Sequence, residues 1–338
     1  MMRIGLLYAH TDKPWGGVNT FFRAFAARAA RDADVVLADA PHRADVVLSA
    51  GHYYAPGRML TVRQARNISH GQPPWHPRGL FGGRGRKARL VWRVDGLRSV
   101  YAGGDVGRAD SVLVRNLPLG SGTVFQSGFS RHCFDSAGYA HPRPDVVIHN
   151  GAVEHLFHPA ATTRQPDGVV VLVSNSWSTN ERKGFEVLKA FAALGGVEVR
   201  HVGRWPEGLD PGGVRLLGAR TEPEIADILR TANFFLFPSR FDACSNAVVE
   251  ALACGIPVLY HRSGGTPELC RDGRFGVGFG HDDDAACDPR SVMDEATERD
   301  AAMRGDLREH VVEYGFETCY RAYMEFFRKV LEYGEGTA

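Results

Sequence analysis

The chain has 338 residues, 44% of them apolar and 23% charged, and its 40 Lys and Arg nearly cancel 39 Asp and Glu. That is the balance of a globular protein long enough for two ordinary domains, and it excludes a disordered or fibrous chain. Near-zero net charge supplies no global attraction for a polyanion, so nucleic acid is not an expected partner. No window approaches about 18 uninterrupted apolar residues, so no membrane span is expected. The cysteines form no CxxC pair and no zinc-spaced set with histidine, and Met1–Gly5 runs straight into a strand-like segment. A cytoplasmic location with reduced thiols is the expectation.

In chain order, short apolar runs alternate with amphipathic segments, the pattern of βα units in parallel sheets. Strands are expected at Ile4–Ala9, Val35–Ala38, Val46–Ala50, Leu90–Val94, Val124–Gln126 and Val146–His149, with Ser111–Val114 ambiguous. Between the first two, Val18, Phe21, Phe22, Phe25, Ala26 and Ala29 share one helical face. After the polar stretch Pro159–Gly168 the pattern restarts. Strands are expected at Val169–Ser174, Val197–Val202, Val214–Leu217, Phe234–Pro238, Pro257–Tyr260 and Phe275–Gly278, with helices at Phe185–Leu194, Glu222–Arg230 and Ala247–Cys254. Near the end, Phe316, Tyr320, Tyr323, Phe326, Phe327, Val330 and Leu331 again share one face. The expected class is α/β, with two Rossmann-like doubly wound domains.

The most informative stretch runs from Phe234 to Gly273. An apolar strand ends at Pro238-Ser239, a polar loop follows, and a helix opens near Asn246. Asp242 stands on the loop and Glu250 on the helix. Loop amides around Ala243–Asn246 face outward at a helix start, where the dipole favours an anion. Gly264-Gly265, after the next strand, allows a close backbone approach. A ligand carrying both phosphate and hydroxyls suits such a set, because amides take the phosphate and carboxylates accept from the hydroxyls. Taken singly, Asp242 reads equally as a helix cap and Glu250 as a solvated helix residue.

This stretch closely resembles glycosyltransferase family 4, a group of retaining enzymes with the GT-B fold. The shared pattern is two carboxylates separated by seven residues, then a small-residue helix, G-x-P-V and G-G-x-x-E. The chain supplies Asp242, Glu250, Gly255-Ile256-Pro257-Val258 and Gly264-Gly265-Thr266-Pro267-Glu268. The resemblance implies that Glu250 holds the ribose hydroxyls of a nucleotide and that Asp242 contacts hydroxyls of the donor sugar, with Ser245, Asn246 and Gly265 beside them. The first carboxylate is normally Glu in the family; here it is Asp. Ser174–Phe185 is similar to the family's K-G segment, whose lysine neutralises the donor diphosphate, and Lys183 matches that lysine. The family's usual Arg just after the strand is missing, and Arg182 is the candidate replacement. The alternative for Arg182 and Lys183 is a solvated pair at a helix start, where the dipole disfavours cations.

In the first half, Gly16-Gly17 precedes the amphipathic helix at a strand-to-helix turn, where backbone amides can meet a phosphate or substrate oxygen. Most such pairs are only turns. The family uses this loop toward donor and acceptor. Leu90–Gly96 places Asp95 just past a buried strand, and similar R-x-D-G segments occur in family members near the donor sugar. An Asp-Gly turn is the alternative. Val124–Ser130 and Val147–Ala152 also match and read as architectural. Asp282-Asp283-Asp284 reads as a solvated loop rather than a metal site. The basic run Arg78–Arg93 is either a surface loop or a contact for an anionic acceptor or membrane.

The implied architecture is a GT-B pair facing across a cleft: an acceptor-side domain over 1–158, a donor-binding domain over 159–315, and a helix over 316–338 crossing back to the first. The implied activity is retaining, metal-independent transfer of a sugar, a hexose by expectation, from a nucleoside-diphosphate sugar to an acceptor hydroxyl. No cofactor is expected; a UDP-, GDP- or ADP-sugar is the substrate. The acceptor is a glycan, a lipid-linked sugar or a small molecule, and peripheral contact with the inner membrane face remains open. The alternatives are a sugar-nucleotide epimerase on the same fold and a non-catalytic sugar-nucleotide-binding protein.

Overall fold

A computed structural model describes residues 1–11, 16–51, 53–55, 58–73, 88–101, 107–160, 168–281, 284 and 287–333. The chain divides into two compact units. One comprises residues 1–149 with the chain from Tyr320 onward, and the other spans 150–319.

In the first unit six parallel strands form one sheet: β1 (Met2–Leu7), β2 (Val35–Leu37), β3 (Val46–Ser49), β6 (Arg89–Val94), β7 (Gly122–Phe125) and β8 (Asp145–Val147). Their order is β2-β1-β3-β6-β7-β8, and a small hairpin of β4 (Tyr53–Ala55) and β5 (Arg58–Met59) lies between β3 and β6 in the chain. β3 and β7 are buried along their whole length, as continuous apolar runs in a parallel sheet require. The ambiguous Ser111–Val114 lies inside the helix Gly107–Asn116. Asp110 in that helix accepts the amides of Arg98 and Ser99, at 2.8 and 2.9 Å.

The helix Gly17–Ala29 buries Phe21, Phe22, Phe25 and Ala29, the expected face, and adds Asn19. Its rings meet those of the final helix, Phe316–Tyr333: Phe25 to Tyr320 at 5.1 Å and Phe21 to Tyr323 at 5.2 Å. Tyr320 also donates its hydroxyl to Asp32 at 3.0 Å. The final helix is therefore shared by the chain's two units, with its first turn counted in the second and the rest in the first.

The second unit repeats the plan with β9 (Val170–Ser176), β10 (Val197–Gly203), β11 (Arg215–Gly218), β12 (Phe234–Phe237), β13 (Val258–His261) and β14 (Gly276–Phe279). The order is β11-β10-β9-β12-β13-β14, all parallel. From β9 the chain builds outward through β10 and β11, then returns to lay β12 on the other side. Strand order thus reverses between β9 and β12, the position where open α/β sheets bind ligands. The corresponding reversal in the first unit lies between β1 and β3.

The first unit ends at His149, ahead of the boundary expected at 158. Asn150 already belongs to the second unit, where its side chain donates to the Cys244 carbonyl at 3.0 Å and to Asn246 Oδ1 at 2.8 Å. Phe157 joins that unit's core as well. The helix Pro289–His310 is not among the elements expected from sequence; only Val292, Met293, Ala296, Met303 and Leu307 of it are buried, too sparse a stripe to stand out.

Tyr323 is almost fully buried among Phe21, Phe25 and Phe327. Tyr323→Ala should destabilise the protein by about 3–5 kcal/mol, the cost of emptying a large aromatic site. Denaturant unfolding measures it, and a loss below about 1 kcal/mol would contradict the packing described.

Candidate functional site

At the seam of the second unit, β9 ends at Ser176 and the chain turns tightly. Asn180 Oδ1 accepts the Arg182 amide at 2.8 Å and starts a short 3₁₀ turn, Glu181–Lys183. Gly184 follows with φ 72, and a side chain there would meet Pro238 at 2.8 Å. Only glycine lets this turn sit against the end of β12 before the helix Phe185–Ala192 begins. Lys183 then reaches across the seam. Its Nζ donates to Ser239 Oγ at 3.1 Å and to Asp242 Oδ2 at 3.0 Å, with the Phe237 ring 5.9 Å away. Arg182 is held too: its carbonyl accepts the Arg240 amide at 2.8 Å, and its guanidinium lies 5.1 Å over the Phe241 ring.

The loop after β12 is braced from the end of β13. Phe241 adopts φ 58, a left-handed backbone rare for a bulky residue, and its amide donates to Ser263 Oγ at 3.1 Å. Ser263 in turn bonds His261 Nδ1 at 2.9 Å, while His261 Nε2 bonds the Asp284 carbonyl at 2.9 Å. Gly265 donates its amide to the Asp242 carbonyl at 2.8 Å. Gly264, at φ 74, packs so tightly on Asp242 that any side chain would collide with its carbonyl. The close approach expected of Gly264-Gly265 is therefore made to the Asp242 loop of the chain itself.

Ser245 is the N-cap of the helix Asn246–Ala253, and its side chain makes no capping bond. The first-turn amides lie at the positive end of the helix dipole, where an anion is favoured. One turn further on, Glu250 is only 9% exposed. No hydrogen bond or ion pair reaches its carboxylate among the described residues. Burial first, and the negative charge of Glu222 second, push its pKa up to about 8. A buried carboxyl without donors is costly, and two hydroxyls of a ligand would supply what it lacks.

In the first unit Gly16 is the exposed N-cap of the helix Gly17–Ala29, with φ 95 and, among the described residues, nothing within 4 Å of where a side chain would start. Asn19, inside that helix, exchanges two 2.8 Å bonds with the backbone of Thr11 and so anchors the loop after β1. Asp95 follows β6, and its side chain is 41% exposed. Its Oδ1 accepts from Arg93 Nη1 at 3.0 Å and from Gln126 Nε2. Arg93 is 1% exposed, its guanidinium 4.1 Å over the Phe21 ring, so a buried cation backs the carboxylate.

The structure thus brings Lys183, Arg182, Asp242, Ser245, Asn246 and Gly265 onto neighbouring loops at the ends of β9, β12 and β13, with Glu250 one turn into the helix. Gly16, Gly17 and Asp95 belong to the first unit. Sequence reasoning assigned no part to Ser239, Phe241 or Ser263, and read Asn150 only as architectural. Ser239 closes an apolar strand, and nothing local signals that a lysine far away in sequence will donate to it. Asp282, Asp283 and most of the basic run, Arg78 to Lys87, lie outside the described residues. Asp284 uses its backbone against His261 and His281. Among the described residues no cluster of His, Cys, Asp and Glu could hold a metal ion. None of their helices is long and apolar enough to cross a membrane.

Residues 167–288 match the family model described as Glycosyl transferases group 1, which bears out over that stretch the resemblance carried by the motifs. A D-inositol 3-phosphate glycosyltransferase 1 of Catenulispora acidiphila is 30% identical over 115 residues, covering 34% of this chain and 28% of that protein. A second one from the same organism is 25% identical over 210 residues, 62% of this chain and 48% of the relative. The chain therefore spans less than half the length of these curated relatives. Among solved structures, sucrose-phosphate synthase from Thermosynechococcus elongatus superposes with TM-score 0.71 at 17% identity, over 98% of this chain and 100% of that one. Anabaena HepE in complex with UDP-glucose gives 0.68 at 16% identity, over 97% and 100%. At these identities the likeness shows the fold, and the fold is that of the GT-B glycosyltransferases.

The buried Glu250 makes a pH prediction. Its carboxyl titrates at about 8 in the folded chain against an ordinary 4.5, so between those values the folded state holds a proton that the unfolded state has released. Its contribution to stability is full below pH 4.5 and is lost as pH rises through 8. Each step of one pH unit between the two values removes about 1.4 kcal/mol. Glu250→Gln should abolish this loss. Unfolding free energies of the two proteins should diverge with rising pH in favour of the variant, and parallel curves from about pH 5 to 9 would refute the assignment.

Proposed function

We propose that the protein is a retaining glycosyltransferase that moves a sugar from a nucleoside-diphosphate sugar to an acceptor hydroxyl without using a metal ion. The observation that carries this is Glu250: a buried carboxylate without a donor, on a helix whose N-terminus is uncapped, beside a loop held by Lys183. In this reading the ribose hydroxyls donate to Glu250, and the diphosphate lies against the first-turn amides from Ser245 onward. Lys183 turns from Asp242 to the phosphate, which releases the Asp242 carboxylate to accept from hydroxyls of the sugar. Family-model similarity and the GT-B fold support the class, and the UDP-glucose complex of HepE supports the donor type.

Catalysis then follows from charge placement. As the bond from the anomeric carbon to the diphosphate oxygen breaks, negative charge grows on the leaving group. Lys183, Arg182 and the helix-start amides already stand there, and preorganised donors of this kind contribute most where charge develops. The acceptor oxygen bonds the same carbon from the face the diphosphate leaves and passes its proton to the departing phosphate oxygen, which retains the configuration. In the first unit the candidates for holding a substrate hydroxyl are Gly16, Gly17 and Asp95. Asp95 suits this because Arg93 and Gln126 fix its carboxylate from behind.

The test is incubation with UDP-, GDP- and ADP-sugars and a panel of hydroxyl acceptors, with and without excess EDTA. Release of nucleoside diphosphate with a new glycoside, unaffected by EDTA, is the expected result. An epimerised donor alone would indicate the epimerase, and binding without turnover a non-catalytic protein. Dependence on added magnesium or manganese would overturn the charge placement above. Lys183→Ala removes a charge-assisted contact worth about 1.5–3 kcal/mol, and turnover should fall roughly ten- to a hundred-fold. Unchanged turnover would leave Lys183 a surface residue.

A further inference from the structure

The strand end after β9 lacks an arginine: it reads Ser174-Asn175-Ser176-Trp177. The cations of the turn that follows are Arg182 and Lys183, adjacent in sequence and just ahead of a helix whose dipole disfavours positive charge. Both are nonetheless held toward the seam by the loop after β12. Lys183 is held through Ser239 and Asp242. Arg182 is held twice: its carbonyl takes the Arg240 amide, and its guanidinium rests on the ring of the next residue, Phe241. We infer that Phe241 is a positioning residue that holds Arg182 beside Lys183 as the second cation for the donor diphosphate, an inference that rests on the donor-site reading proposed above.

Two features of Phe241 point to its ring. Its backbone sits at φ 58, where glycine would be free of strain and a bulky residue is not. The ring is only partly buried and stands outside the hydrophobic clusters of the second unit, so core packing does not account for it. What the ring contacts is the Arg182 guanidinium, a planar cation that stacks on aromatic faces and presents a fork of donors matched to phosphate. A free arginine at an exposed turn would sample many rotamers. One lying on a ring whose backbone is bonded to Ser263 keeps its charge at the end of β9, where the strand itself offers none.

The probes are UDP, GDP and ADP, and the matching nucleosides uridine, guanosine and adenosine, measured by calorimetric titration. Phe241→Gly removes the ring while suiting the left-handed backbone, so the loop should keep its shape. It should weaken diphosphate binding by about 3- to 30-fold, the range for one cation–π contact, and leave nucleoside affinity unchanged. Phe241→Tyr should restore wild-type affinity. In an Arg182→Ala background, Phe241→Gly should cost nothing more. Equal losses for diphosphate and nucleoside, additive losses in the double variant, or no loss would each overturn the inference. A wild-type protein that binds none of the three diphosphates would instead bring down the donor-site reading and this inference with it.

Discussion

Where β9 and β12 lie side by side, two loops from different βα units emerge next to each other, and a lysine joins them. Lys183 Nζ, 3.0 Å from Asp242 and 3.1 Å from Ser239, spans the point where strand order reverses. A partly exposed ion pair of this kind adds little to stability. Its importance is positional, because both loops must be brought close for it to form. Gly184 lets one loop press against Pro238, and Gly264 lets the β13 loop press against Asp242. Parallel topology places the loops, glycines close the gaps, and the ammonium joins the Asp242 carboxylate and the Ser239 hydroxyl across the reversal.

Glu250 shows the opposite balance. It gives up stability in the unliganded chain, since its carboxyl is buried without donors and faces the like charge of Glu222. Nothing in the helix Asn246–Ala253 requires it there: neighbouring Val248, Val249, Ala251 and Leu252 are buried apolar residues, and an apolar side chain would pack at that place at less cost. A residue that costs stability where it stands points to a ligand that offsets the loss. The same logic applies to Phe241, whose backbone strain is retained with a ring that packs on a cation.

Much of the fold is legible in the sequence because parallel strands are continuous apolar runs and two helices carry dense aromatic stripes. The expected strands all form within a few residues of the ends read from sequence, and the second-half motif locates both carboxylates. The differences have identifiable causes. Ser111–Val114 is a short stretch with three consecutive apolar residues, Val112 to Val114, so periodicity does not separate strand from helix. The polar stretch near 159 suggests a domain boundary, but Asn150 is bound by side-chain bonds to Cys244 and Asn246, which no local pattern reveals. The role of Ser239 and the left-handed Phe241 depend on contacts with Lys183 and Ser263, both distant in sequence. Acids and cations can be found by motif; the residues that hold them in place emerge only when distant loops are brought together.

Under the proposed function Glu250 waits, protonated, for the hydroxyls of a ribose. Calorimetry of nucleoside diphosphate binding near neutral pH, repeated in buffers of different ionisation enthalpy, counts the protons exchanged. Hydroxyl donors stabilise the carboxylate, so binding should drive a carboxyl that titrates at about 8 toward ionisation and release a substantial fraction of a proton. The Glu250→Gln variant cancels the contribution of the phosphates and should release correspondingly less while binding more weakly. Identical proton release by the two proteins, with equal affinity, would mean that the ribose is held elsewhere and that Glu250 is not the anchor of the site.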